Sequence, residues 1–303
     1  NARASLETLT QKLTDPETLA RISRLELRAR AVVEGVISGL HKSPHRGYSV
    51  EFAQHRDYTF GDEIRHIDWK VFARTDRLYV KQFEEETNLK AYLLIDGSNS
   101  MQYKSGSLTK LEYSSILAAA ISTLLLRQRD SVGLGIFNDG VKTFLPASST
   151  PSHLREVIRQ LETIESAPRT NIAATFHDLA ERIKRRSLII VFSDFFDDPQ
   201  EIMNGVQHFR HRKHEVALFH TLDRSELTFP FKDSCVFEGM EWEGELPAEP
   251  NALRKEYLHL FESFVASLKG GCREMGMDYQ QFPTDRSPGQ ALAEYLSVRS
   301  RTR

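Results

Sequence analysis

From Leu89 onward the chain alternates apolar, strand-like runs with amphipathic helical ones, and this rhythm limits the possible folds more than any other feature. The run Ser187 to Phe192, Ser-Leu-Ile-Ile-Val-Phe, is apolar almost throughout, which suits a strand buried on both faces. Leu89 to Ile95, Val132 to Phe137, Glu215 to Thr221 and Met277 to Phe282 read as its companions. A short strand, Val141 to Phe144, follows Asn138-Asp139-Gly140, a turn sequence suited to a hairpin. Helical segments fall at 110–127, 151–165, 172–185, 199–212 and 251–269. Ser287-Pro288 opens a last helix, with Gln290 placed for a capping box. Such alternation predicts an α/β fold: a doubly wound, mostly parallel sheet with helices on both faces. Residues 223–249 interrupt the rhythm with Pro230, Pro247 and scattered aromatics, and read as an inserted loop or hairpin.

Ahead of Leu89 the pattern differs. Asp15-Pro16 suits an N-cap and first helical position. Leu19, Ile22, Leu25, Ala29, Val32 and Val36 then recur at helical spacing, with Arg21, Arg24, Arg28 and Arg30 between them. This predicts one amphipathic helix docked by its apolar stripe with the arginines in solvent; a functional basic face is the other reading. Ser49 to Phe52 and Leu78 to Phe83 read as strands, so residues 1–87 are expected to form a small helix-plus-strands module beside a sheet domain at 88–303.

Composition excludes several classes. Of 303 residues 40% are hydrophobic and 27% charged, with a net charge of −2, a globular balance that gives no general basis for nucleic-acid binding. The longest apolar run, Ile116 to Leu126, falls short of the roughly 20 residues a membrane span needs. Two cysteines, Cys235 and Cys272, at no short spacing argue against a disulfide framework and for a reducing, cytoplasmic setting.

The chemistry is expected at the carboxyl edge of the sheet, where open parallel sheets bind their ligands. The first long strand ends in Asp96-Gly97-Ser98-Asn99-Ser100, an aspartate followed by two hydroxyls at alternate positions. Oxygen ligands of this kind suit a hard divalent cation. Two neutral serines with few carboxylates leave such an ion incompletely neutralised, and so attractive to an outside carboxylate. Thr170-Asn171-Ile172 offers another hydroxyl in a loop before a helix, and Asp194 follows the most apolar strand directly.

Asp96-x-Ser98-x-Ser100 with Thr170 and Asp194 downstream resembles the metal-ion-dependent adhesion site of von Willebrand factor A domains. By that resemblance Ser98, Ser100 and Thr170 are hydroxyl ligands of Mg2+ or Mn2+, Asp96 and Asp194 act directly or through water, and one position is left for a partner's Asp or Glu. The competing reading is a Ser/Asp-rich turn that merely caps the next helix. Upstream, Tyr58-x-x-Gly61-Asp62-x-x-Arg65-x-Ile67-Asp68-Trp69, Ala73-Arg74 and Leu78-x-Val80-Lys81 are similar to the bacterial domain-of-unknown-function family numbered fifty-eight. That resemblance implies association with a MoxR-type AAA+ ATPase or its client, in a chaperone-like, non-catalytic role. The Gly61–Trp69 stretch itself reads as a structural clasp of charged and aromatic groups or as an interaction surface.

Enzyme readings fit less well. A phosphohydrolase using the same Asp/Ser site is the alternative, but Ser98 stands where the haloacid dehalogenase type has its second carboxylate. Neither a Gly-x-Ser-x-Gly elbow nor a Walker-type loop occurs. His208, His211 and His214 could form a zinc site, but beside Arg210, Arg212 and Lys213 they read as a solvated basic face. Glu84-Glu85-Glu86 reads likewise as solvated, or as carboxylates offered to another subunit's metal. Phe229, Phe231, Phe237 and Trp242 form either a satellite core or a partner surface, the second carrying the binding if the cation site stays empty.

Overall fold

The structure, a computed structural model, describes residues 14–40, 55–57, 79–81, 89–168, 172–241 and 244–302. A six-stranded sheet organises them, in the order β10-β7-β6-β3-β4-β5. Its strands are β3 (Lys90–Asp96), β4 (Ser131–Phe137), β5 (Val141–Ser148), β6 (Leu188–Ser193), β7 (Glu215–Leu222) and β10 (Asp278–Pro283). All neighbours pair in parallel except β4 and β5, the expected hairpin, so the doubly wound α/β sheet forms as the alternation predicts.

Period-two burial explains why these runs are apolar throughout. Ala91, Leu93 and Ile95 of β3 join one core, while Tyr92 and Leu94 join the other on the opposite face. Leu188, Ile190 and Phe192 of β6 divide from Ile189 and Val191 in the same way. On β4, Gly133 is required by close approach: a Cβ there would meet the Tyr92 ring at 2.4 Å, and that ring stacks on Phe144.

One face is covered first by α3 (Lys110–Arg127), which starts in a complete capping box: Thr109 Oγ1 accepts from Glu112 N at 3.0 Å, and Glu112 returns the bond to Thr109 N. Most of α3 is buried because further helices close over it. These are α1 (Pro16–Ala20), α2 (Leu25–Leu40), α4 (Pro151–Glu162) and α9 (Pro288–Thr302), which share its core. The other face carries α5 (Ile172–Arg182), α6 (Pro199–His211) and α8 (Pro250–Glu274).

Two expectations about the first 87 residues need correction. The single helix beginning at Pro16 is two, α1 and α2, separated at residues 21–24. The boundary also moves: the chain divides into residues 44–88 and all the rest. Leu19, Leu25, Ala29, Val32 and Val36 are buried in the core that the sheet and α3 build. That apolar stripe makes the N-terminal helices part of the sheet domain, not of a separate module. In the smaller unit, β1 (His55–Asp57) pairs antiparallel with β2 (Tyr79–Lys81). The strand expected at 49–52, the Gly61–Trp69 motif and Glu84–Glu86 lie outside the described residues.

The insert at 223–249 contains the short α7 (Arg224–Thr228) and a hairpin of β8 (Cys235–Glu238) with β9 (Glu245–Ala248). Phe229, Phe231 and Phe237 pack on one another, and Phe229 stacks on Tyr257 of α8 at 4.5 Å. These three rings form a satellite core; Trp242 lies outside the described residues. No helix among the described residues is long and apolar enough to cross a membrane.

Candidate metal centre

Strand order locates the crevice. From β3 the chain moves outward to β4 and β5, then returns to β6 on the other side of β3. The carboxyl ends of β3 and β6 therefore flank the switch point where open α/β sheets bind ligands. Asp96 ends β3, and Ser193 ends β6 with Asp194 next.

Asp96 is fully buried, and both its oxygens are engaged. Oδ1 accepts from Ser98 N at 2.9 Å, and Oδ2 accepts the Ser193 hydroxyl at 2.5 Å, joining the two strand ends. The turn after it is clamped by backbone: Gly97 N donates to Phe137 O, Ala167 N to Gly97 O, and Asn99 N to Ala167 O. Ser98 and Ser100 are buried, their hydroxyl oxygens 3.1 Å apart. Two adjacent ligands at about 2.1 Å in an octahedron stand about 3.0 Å apart, so this pair already has the spacing of one octahedral edge. The donor set, all oxygen, fits Mg2+ or Mn2+. The same spacing serves as an ordinary hydrogen bond between the hydroxyls.

Asp194 is held differently. Its Oδ1 accepts from Phe196 N at 3.2 Å, and its Oδ2 accepts from the Lys110 ammonium at 2.8 Å. Lys110 is 1% exposed and also donates to Glu226 of α7 at 2.5 Å. Burial alone would push the lysine pKa down, but Asp194 and Glu226 outweigh it and hold the ammonium above its ordinary value. Glu226 is itself raised by burial, against the pull of Lys110. Phe195 follows Asp194 with φ of +50°, in the left-handed region that bulky residues rarely adopt. Its neighbour Phe196 is 74% exposed. His220, paired with Ser193 across β6 and β7, is fully buried, and burial lowers its pKa to about 4 despite the charge of Asp194, so it is neutral near pH 7.

The structure thus brings Asp96, Ser98 and Ser100 together and sets Asp194 one residue beyond the serine that binds Asp96. Thr170 lies outside the described residues; Ala167, three positions earlier, pairs with the Asp96 turn. Several groups were missed in the sequence. Ser193 falls between the apolar run that ends at Phe192 and Asp194, and nothing local to Glu226 or to Glu241, which accepts from Ser100 N at 2.6 Å, points to the Asp96 edge. Lys110 left a faint signal, a lysine between Leu108 and Leu111 at the start of an otherwise apolar helix.

The structure separates His214 from the rest of the histidine run, in which His208 meets His177, Nδ1 to Nδ1, at 3.4 Å. His214 Nδ1 accepts from Ser187 N and its Nε2 meets the Ile183 carbonyl, each at 3.1 Å, so both ring nitrogens are engaged. No group of three or more His, Cys, Asp or Glu arranged for a metal occurs among the described residues.

The family described as "Protein of unknown function DUF58" matches residues 54–263. The chain belongs to the DUF58 family. An uncharacterized protein of Mycobacterium tuberculosis, Rv1480, is 27% identical over 295 residues, spanning 95% of this DUF58 chain and 92% of the relative. Among solved structures, it is similar to an aerotolerance-related membrane protein from Bacteroides fragilis, with TM-score 0.49 and 15% identity over 71% of this chain and all of that one. It is also similar to the VWA domain of SpRpn10, with TM-score 0.38 and 10% identity over 68% of this chain and 94% of that one.

Proposed function

We propose that this DUF58 protein is a divalent-metal-dependent protein-interaction module. Ser98 and Ser100, with Asp96, Asp194 and Thr170, would hold Mg2+ or Mn2+ at the switch point of the sheet. The bound ion supplies a Lewis-acidic position for an acidic side chain of a partner. The observation that carries this reading is the buried pair of serine hydroxyls, 3.1 Å apart, in the turn that follows the fully buried Asp96. The family resemblance supports a MoxR-type AAA+ ATPase, or its client, as that partner. The cysteine usage supports a cytoplasmic setting.

The phosphohydrolase alternative asks Asp96 to act as a nucleophile. Both of its oxygens accept hydrogen bonds, and the residue is fully buried, which favours a positioning role. Calorimetry with Mg2+ and Mn2+ on the parent and on the Ser98→Ala/Ser100→Ala variant tests the site. Binding by the parent, lost in the variant, is expected, and capture of the ATPase should then require the ion. Absence of ion binding even with the ATPase present overturns the reading. So would phosphate-ester turnover that Asp96→Ala abolishes.

A further inference from the structure

Helices α5 and α6 pack against each other over the second core, and small and aromatic residues set how closely. A Cβ built on Gly205 would meet Ala173 Cα at 3.0 Å, so glycine is what lets the two backbones approach. Phe176 and Phe209, both fully buried, lock the pair with ring centroids 5.7 Å apart. His177 follows the first of these rings and His208 precedes the second. The same contact therefore brings both imidazoles together, His177 exposed and His208 half-buried.

Nδ1 of His177 stands 3.4 Å from Nδ1 of His208, with ring centroids 4.6 Å apart and planes at 71°. Two facing lone pairs repel, so ring nitrogens this close share either a proton or a metal ion. Hydrogen bonds from nitrogen centre on about 2.9–3.0 Å, and 3.4 Å is long for one. Zn2+ binds imidazole nitrogen at about 2.0–2.1 Å in a tetrahedron, which sets neighbouring ligands about 3.3–3.4 Å apart. An octahedral ion with bonds of about 2.1 Å asks for about 3.0 Å. The observed spacing matches the tetrahedral edge. Opposite charge does not draw the rings together either, because Glu181 and Arg212, one turn further along each helix, pair with each other.

We propose that His177 and His208 form a two-histidine site for a tetrahedral, nitrogen-preferring divalent ion such as Zn2+. No group of three His, Cys, Asp or Glu is arranged for a metal among the described residues, so water or an outside ligand fills the other two positions. The site differs in chemistry from the oxygen set at the Asp96 edge and does not rest on it. Imidazole suits Zn2+, whereas hydroxyl and carboxylate oxygens suit Mg2+ or Mn2+. The ion ties α5 to α6 and, by binding the folded chain alone, raises its stability.

Zn2+ added to the full chain tests this, with affinity read by competition against a chromophoric chelator and Co2+ as a probe of geometry. The parent should bind Zn2+, melt at a higher temperature with it, and give the intense visible bands of tetrahedral Co2+. His177→Gln and His208→Gln should each lower Zn2+ affinity at least about tenfold and abolish those bands. Metal-free melting temperatures check that both variants fold. The Ser98→Ala/Ser100→Ala variant should keep the parent's Zn2+ affinity, so that this site and the proposed Mg2+ or Mn2+ site can fail separately. A parent with neither Zn2+-dependent stabilisation nor tetrahedral Co2+ overturns the proposal. So does Zn2+ binding that both histidine variants retain, which would mark an adventitious ion only, held elsewhere on the surface.

Discussion

Two stretches of the same sheet edge are assembled in opposite ways. The Asp96 turn is largely local, with Asp96 bonded to Ser98 and Ser98 to Ser100, each two residues away. The Lys110 cluster is made at a distance: Lys110 meets Asp194 across 84 residues and Glu226 across 116. The first consists of neutral hydroxyls and one carboxylate. The second is a buried ion triad whose members depend on one another. One stretch of the edge is thus held by short local bonds and the other by buried charge pairs made across the chain.

Removing one member of the triad should therefore cost most. Lys110→Met keeps the apolar stem but leaves Asp194 and Glu226 without their cation, and breaking a buried pair in this way costs about 3–5 kcal/mol. Urea unfolding should show the free energy of unfolding fall by that amount, through a lower midpoint with little change in slope. Replacing all three as Lys110→Met/Asp194→Asn/Glu226→Gln should recover much of the loss. A single-variant cost below about 1 kcal/mol would mean that the triad is solvated in solution, and the contrast with the Asp96 turn would vanish.

A smaller loss is expected at Asp223, which fastens the insert to the same edge. It caps α7 at Ser225 N and also accepts from Ser105 N, both at 2.8 Å. Burial would raise its pKa, but hydrogen bonds from Ser105 and Ser225 outweigh that and hold it below the usual carboxylate range. Asp223→Ala leaves those donors without an acceptor, at about 1–3 kcal/mol by urea unfolding. The loosened insert should also be cut sooner by protease. Unchanged cleavage would show that the aromatic cluster alone holds it.

What could be read in the sequence follows the same division. The alternation of strands and helices was legible because strands such as Leu188–Ser193 are buried on both faces and admit little else. Asp96, Ser98 and Ser100 were legible because their spacing is short and falls at a strand end. Lys110, Glu226 and Glu241 were not, since which helix or hairpin returns to that edge is decided by the path of the whole chain. The N-terminal helices were misassigned for a related reason. The stripe of Leu25, Ala29, Val32 and Val36 announces that something is covered, but not that it is α3.

The Ser98→Ala/Ser100→Ala variant sharpens the contrast from the other side. It removes one hydroxyl pair, so stability should change by about 1 kcal/mol or less, while Mn2+ affinity is expected to fall at least about tenfold. A large stability loss with unchanged ion binding would make the turn structural, like the triad.

The smallest effect belongs to a group at the opposite edge of the sheet, which serves as a reference for both regions. His214 precedes β7, is fully buried, and accepts from Ser187 N through Nδ1. Burial lowers its pKa from 6.5, only partly opposed by the Ile183 carbonyl, and Arg212 adds to the lowering. The unfolded chain therefore binds more protons than the native one just below pH 6.5. The stability owed to the neutral ring is complete above that value and is lost as pH falls toward the lower folded pKa. Melting temperatures of the parent should accordingly decline from pH 7 to pH 5 more steeply than those of His214→Gln, whose amide keeps an acceptor for Ser187 and a donor for Ile183 without titrating. Identical slopes would show that His214 does not carry this dependence. A change in Mn2+ affinity in His214→Gln would show that the two edges are coupled and that the contrast is not confined to the carboxyl side.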